Sequence, residues 1–354
     1  MRLRLLSPIL LVLLALPVYA QTAAVPAPAR DIDPLLVKLP GPGMWKVRKG
    51  ENTLWVLGTV SPLPAQMEWN SGKVRSVIRR ADAILGAPSV VVDADIGFFG
   101  KLALAPSLLG MRANPDGKRL EQVVEPAVYA RWSTLKQRYI GRDRTVEQWR
   151  PLFAGMELYN HAIHDHGLRS GGMISEEVQR AVKDRGLKPI SVSAKVKVKN
   201  PKAIVKEFKT TRFADLECFE RTLDRVERDL PTLSARADAW ANGDVAALAR
   251  LPNPDLGKVC ERAMLGGEFA AKHGMDTLDT QSRGNWVAAA ETSLARHRIT
   301  FAMLPMNDVL SPTGLVAALA AKGYVVDPPG VGDDLPAVAV SSATTDRGSP
   351  SPVK

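Results

Sequence analysis

Six consecutive residues, His161-Ala162-Ile163-His164-Asp165-His166, form the densest group of metal-capable side chains in the chain. At helical spacing His161 and His164 share a face, whereas His166 points away. Imidazole nitrogens bind first-row transition metals readily, so this pair could hold a divalent ion. The same residues also suit a polar helix end, where histidines sit well beside the C-terminal dipole and Gly167 stops the helix. A second acidic pair, Asp93 and Asp95, closes the run Ser89-Val90-Val91-Val92. Alternation puts both carboxylates on one side of a strand end, a common place for functional groups in α/β proteins. With Asp308 they would make a hard, oxygen-rich site for Mg²⁺, Mn²⁺ or Ca²⁺. Capping of the loop that follows is the other role open to them.

Ser61 ends the stretch Thr53-Leu54-Trp55-Val56-Leu57-Gly58-Thr59-Val60-Ser61. A serine after a tight turn is a candidate nucleophile, but it lacks the flanking glycine of a nucleophile elbow and has no assigned base. Trp45, Trp55 and Trp69 could stack on sugar rings or fill the core.

The elements that must position these residues read as follows. Residues 44–48 and 53–57 form two strands joined by a hairpin turn at Gly50-Glu51-Asn52. Ser71 caps a helix with Val74, Val77, Ile78 and Ala81 on one face. The β-branched run 89–92 has the continuous apolar character of a buried strand. The chain is then mostly helical from 98 to 186, with main segments at 125–139, 146–166 and 174–185. A strand follows near 188–193, and helices resume from 203 to about 297. Residues 299–304 and 323–326 are closing strands around a helix at 312–322. Strands at both ends of a helical middle imply an α/β fold, with a central mixed sheet built from N- and C-terminal strands and a large helical insertion.

Several of these pieces, in order, resemble the TraB/GumN family, a relative of the Tiki metalloproteases and more distantly of erythromycin esterases and ChaN. They are Met44-Trp45-Lys46-Val47 with Gly58-Thr59, then Trp240-Ala241-Asn242-Gly243-Asp244, Arg283-Gly284-Asn285-Trp286, residues 301–315, and Gly323-Tyr324-Val325-Val326. The resemblance covers most of residues 44–326. For active members it implies cleavage of a peptide bond or ester by a metal-activated water, with histidines of two Gly-x-x-His motifs at the site. In this chain those histidine positions hold Ser61 and Asp308, and the second motif's glycine is Pro305. An acidic residue expected after the first helix falls near Ala87 or Pro88. The glutamate expected after the second strand falls in Ser193-Ala194-Lys195. The resemblance therefore implies a degenerate, non-catalytic or weakly active relative with a role at the envelope or in exopolysaccharide assembly. The alternative is an active metal-dependent peptidase or esterase on a rearranged site built from Asp93, Asp95, Asp308 and the His161–His164 pair.

Residues 1–20 carry a basic start at Arg2 and Arg4, an apolar stretch at 9–16, and Val18-Tyr19-Ala20 before Gln21. That is the pattern of a cleavable secretory signal, and it implies a periplasmic or secreted protein. Residues 21–43 and 327–354, rich in Pro, Ala, Gly, Ser and Asp, have no period with which to bury a core and read as a flexible segment and a disordered tail. The remaining ~280 residues suit one large domain. Setting aside Arg2 and Arg4 leaves 45 basic against 37 acidic residues. Basic clusters at 73–80 and 195–209 could attract an acidic polysaccharide, an envelope protein or, peripherally, an anionic membrane surface. They could equally be solvated faces. Export and the absence of a binding motif exclude nucleic acid. Cys218 and Cys260 are the only cysteines, and an oxidising compartment favours a disulfide over two buried thiols.

Overall fold

A two-residue turn, Gly50-Glu51, folds Met44–Lys49 (β1) back onto Asn52–Thr59 (β2), with Trp45 opposite Val56 and Lys49 opposite Asn52. Gly50 has φ +57, a left-handed value that this turn position needs and that glycine adopts without strain. The structure is a computed structural model and describes residues 40–94, 104, 106–251 and 256–330. The expected signal, Asp95 and most of both expected flanking segments lie outside these residues.

After the hairpin come Leu63–Pro64 (β3), the helix Gly72–Arg80 (α1), Ala83–Leu85 (β4) and Ser89–Ala94 (β5). The helical middle contains Pro126–Tyr139 (α2), Pro151–Asp165 (α3) and, after the short strand Leu168–Arg169 (β6), Met173–Asp184 (α4). Ser193–Val198 (β7) leads into Pro201–Thr210 (α5), Leu216–Asp224 (α6), a π-helical turn at Arg225–Asp229, and Leu230–Ala241 (α7). Val245–Arg250 (α8), Leu256–Leu265 (α9), Glu268–Lys272 (α10) and Leu278–Arg296 (α11) complete it. The chain closes with Ile299–Pro305 (β8), Met306–Leu310 (α12), Leu315–Ala321 (α13) and Val325–Asp327 (β9).

The main sheet has five strands in the order β4-β8-β2-β1-β9. It is mixed: β8 runs parallel to β2 and β4, whereas β1 runs antiparallel to β2 and β9. The α/β architecture with an N- and C-terminal sheet around a helical insertion is thus the one observed. Leu54, Trp55, Val56 and Leu57 are all buried, which means both faces of β2 are covered, as expected for a central strand written as an unbroken apolar run. Val77 and Ile78 of α1, Val178 and Val182 of α4, Trp286 and Leu294 of α11, and Leu315 and Leu319 of α13 join the same core. The insertion has a second core around Trp132, Leu158, Phe219 and Leu223. Buried Glu147 is satisfied there by the Trp132 indole N–H at 3.2 Å and the Lys136 ammonium at 3.3 Å. Arg150 donates to the carbonyls of Phe208, Lys209 and Thr211 at the end of α5, satisfying groups that a helix terminus otherwise leaves open.

Three local expectations differ from what is seen. The strand expected near 188–193 begins only at Ser193, and before it Ile190 makes an isolated bridge to Leu85. Ser89–Ala94 is not a buried strand of the main sheet: it pairs in parallel with β7 in a separate ribbon, and Val92 is 60% exposed. The chain departs at Gly86, whose N–H binds the carbonyl of Ile190 at 3.0 Å, where a Cβ would come within 2.9 Å of that oxygen. A short apolar run cannot by itself tell a buried strand from such an edge. Ser71 precedes α1 without capping it: its hydroxyl reaches Glu177 at 3.0 Å, while the Asn70 side chain accepts from the Gly72 N–H.

A buried bond ties the insertion to the end of β2. The Trp240 indole N–H donates to the Gly58 carbonyl at 2.6 Å, and the Trp69 ring meets Trp240 edge-on at 5.2 Å. Trp240→Phe leaves that carbonyl short of a donor and is expected to cost about 1–3 kcal/mol. Trp69→Phe keeps an aromatic edge and should cost less. Urea denaturation of the two variants, at unchanged m-value, checks the ranking.

Candidate functional site

Parallel strands β2 and β8 end together, with Gly58 opposite Leu304 and Thr59 opposite Pro305. The Thr59 hydroxyl donates to the Leu304 carbonyl at 3.2 Å and pins the two ends. The chain beyond each end carries one of the two singled-out positions: Ser61 after β2 and Asp308 in α12 after β8. Ligand sites of open α/β sheets form at such carboxyl ends.

Ser61 is exposed, and its Oγ accepts the Gly171 N–H at 3.3 Å. It lines a cleft of about 360 Å³ together with Tyr159, Thr222, Arg225 and Asn307. Asn307 also lines a second cleft of about 360 Å³, with Arg236, Lys258 and Ser311. The neighbour of Asn307 behaves differently. Asp308 is paired with Arg283, Nη1 to Oδ1 at 2.5 Å, and the other end of that guanidinium donates to the Thr313 carbonyl at 3.3 Å. Gly314 lets the loop close over this pair, since a Cβ there would come within 2.4 Å of the Asp308 carbonyl.

The other positions do not gather here. Asp93 lies on β5, opposite Lys197 of β7 and outside the main sheet. Asp95 lies outside the described residues. His161 and His164 are exposed near the end of α3, where His161 Nε2 faces Glu157 at 3.5 Å. His166 Nδ1 bonds the Ala162 carbonyl at 2.8 Å, and its ring lies 5.9 Å from that of Tyr139. Among the described residues, no three His, Cys, Asp or Glu side chains come together as a metal would need. Of the tryptophans, Trp45 and Trp55 are buried and Trp69 packs on Trp240, all in packing roles.

Two arginines at the clefts had gone unread in the sequence. Arg225 is 7% exposed and opens the π-helical turn, a distortion that often marks functional sites. Arg236 is 5% exposed on α7. Burial, and then the nearby Arg225 charge, pull its guanidinium below the usual arginine range. A signal was available for Arg236: it falls on the same helical stripe as Leu233, Ala237 and Trp240, all buried.

The clefts share a wall held by covalent chemistry. Cys218 of α6 and Cys260 of α9 are joined by a disulfide, Cα atoms 4.8 Å apart, and Cys260 itself lines the first cleft.

Comparison with known proteins completes the picture. The model of the TraB/PrgY/gumN family matches residues 43–328, and the chain belongs to that family. No curated protein and no solved structure matches it. Trp240-Ala241-Asn242-Gly243-Asp244, which carried part of the resemblance, has a structural reading. Trp240 binds Gly58, Gly243 turns the chain at φ +69, and Asp244 caps α8 by accepting the Ala247 N–H at 2.8 Å.

Two outcomes follow from this geometry. A double-mutant cycle on Arg283→Met and Asp308→Leu, read by urea denaturation, should give a coupling of about 1–3 kcal/mol, because either single change strands a partly buried charge. A coupling near zero would deny the pair its role. Replacing both cysteines by alanine frees a 42-residue separation and is expected to cost about 2–4 kcal/mol of stability, seen as a lower melting temperature.

Proposed function

We propose that this TraB/PrgY/gumN family member is an exported binding protein of the cell envelope, built on the cleft of a metal-dependent hydrolase whose ligand set has been replaced. The observation that carries this reading is the fate of Asp308. At the position matching the family's second histidine stands a carboxylate committed to Arg283. A group held in an ion pair must give up that partner before it can serve a metal. At the other histidine position, Ser61 offers a hydroxyl already engaged by a backbone N–H, and serine is a poor ligand beside imidazole. The cleft itself is retained, at the carboxyl ends of β2 and β8, with arginine on its walls.

Export rests on the first 20 residues, whose basic, apolar and small-residue regions follow the order of a secretory signal. The disulfide fits an oxidising compartment. Lys195 and Lys197 of β7 and Lys199 just beyond it are all exposed, a stripe that favours an acidic partner such as a polysaccharide or an anionic envelope surface.

Metal analysis tests the central point. After incubation with Zn²⁺, Mn²⁺ and Co²⁺ and desalting, the full chain, purified without affinity-tag histidines, should hold far less than one equivalent. A stoichiometric ion lost in both Asp308→Ala and Ser61→Ala would overturn the reading and favour the hydrolase alternative. Intact mass of the exported protein should correspond to a chain starting at Gln21.

A further inference from the structure

Buried cations normally come with a carboxylate, because an unpaired charge away from water is costly. Buried Arg150 is compensated instead by three backbone carbonyls, and several more exposed cations have carboxylate partners. A cavity of about 730 Å³ between α5 and α10 has Lys272 on its rim held by Glu207 at 2.8 Å and Arg212 held by Asp116 at 2.9 Å. Arg131 on α2 bridges Asp224 and Glu227, both at 2.7 Å. Arg283 has Asp308.

Among the described residues, Arg236 has neither a carboxylate nor a set of carbonyls. It is 5% exposed, and its one hydrogen bond among the described residues runs from Nη1 to the Leu251 carbonyl at 3.2 Å. No carboxylate among the described residues pairs with it, and the charge that acts on it most is another cation, Arg225. Arg236 borders the second cleft, where Lys258, Asn307 and Ser311 supply polar walls. Guanidinium presents five N–H donors in a planar fork, and one bond to a carbonyl leaves most of that fork unused. Leu233, Ala237 and Trp240 fix the helix that carries it, since all are buried in the cores. The fork is therefore held in place before any ligand arrives, which reduces the entropy lost on binding.

We propose that Arg236 anchors an oxyanion subsite in this cleft, which receives a carboxylate or phosphate group carried by the ligand. The inference builds on the binding reading above and names the chemistry of what is bound. The cleft's volume, about 360 Å³, falls within the range of about 300–1,000 Å³ typical of small-molecule sites. Asn307 lines this cleft and the one that holds Ser61 and Arg225. A ligand whose anionic group sits on Arg236 can therefore extend past Asn307 towards Ser61. A carboxylate would come from an acidic sugar and a phosphate from a phosphorylated group. Both accept the bidentate pairing that arginine offers.

The test is calorimetric titration of the full chain at low ionic strength with glucuronate and, separately, with inorganic phosphate. Wild type should bind at least one of them, and which one identifies the source of the oxyanion. Arg236→Met should weaken that binding at least about tenfold, the loss expected when one charge-assisted hydrogen bond is removed. The melting temperature of the free variant should meanwhile stay level or rise, because a buried unpaired cation has gone. Arg236→Lys keeps a charge without the fork, so binding should weaken several-fold with the fold secure. No binding of either anion by wild type, or equal affinity in Arg236→Met and Arg236→Lys, would overturn the proposal. Neither result depends on metal content, so the subsite and the binding-protein reading can fail separately.

Discussion

One buried hydrogen bond joins two parts of the chain that fold on different principles. The Trp240 indole meets the carbonyl of Gly58 across 182 residues of sequence. Gly58 closes a strand whose place is set by an apolar run and a parallel partner. Trp240 ends a helix whose place is set by the insertion. Other hydrogen bonds join the sheet and the insertion, such as that from the Asn52 amide to the Leu294 carbonyl at 2.9 Å, but that one is only partly buried, whereas the Trp240 bond is buried at the end of β2. With it, α7 is clamped in register against the end of β2, and Arg236, one helical turn before Trp240, is carried to the cleft. Gly58 itself leaves no room for adjustment: an added Cβ would lie 2.7 Å from the Met306 methyl and 3.3 Å from the Trp45 ring. Met306 directly precedes Asn307, so the same crowding that fixes the strand end also fixes the residue lining both clefts.

The strand ends are held by close framework contacts: the Thr59 tie to Leu304, the closely packed Gly314 and the Trp240 bond. The charges around them are arranged unevenly. Asp308 is internal to the protein's own electrostatics through Arg283, whereas Arg236 has no carboxylate partner among the described residues. The cleft walls therefore offer mainly hydrogen-bond donors. Such a surface favours anions over cations.

Much of the framework was legible in the sequence, because the signals were local. The hairpin announced itself by Gly50 between two apolar runs, and β8 by its uninterrupted apolar character. The family resemblance rested on the same local features, and its model matches nearly the whole described domain. What was not legible depended on where the chain turns. Val90, Val91 and Val92 look like core because their side chains say so, yet the departure at Gly86 takes them to an outlying ribbon. Helix α12 is only five residues long, too short for any hydrophobic period to reveal. The π-helical turn at Arg225 depends on how two helices meet and leaves no residue signature. Arg236 could have been noticed as a charge on an apolar stripe. That it lacks a partner is a three-dimensional fact.

Helix α9 adds a different kind of dependence. Its one buried residue is Ala263; Val259, Cys260 and Met264 pack with it in a small cluster against Leu152 and Cys218, and the Cys218–Cys260 bond ties that cluster covalently. The helix supplies Gly257 and Cys260 to one cleft and Lys258 to the other. The sheet core and the Trp132 core, by contrast, do not contain the bridge. Material made in a reducing cytoplasm would therefore keep its helix content and still melt cooperatively, though at a lower temperature, while one wall of its cleft hung loose. For this protein, the quality of a preparation is a question of thiol count before it is one of secondary structure.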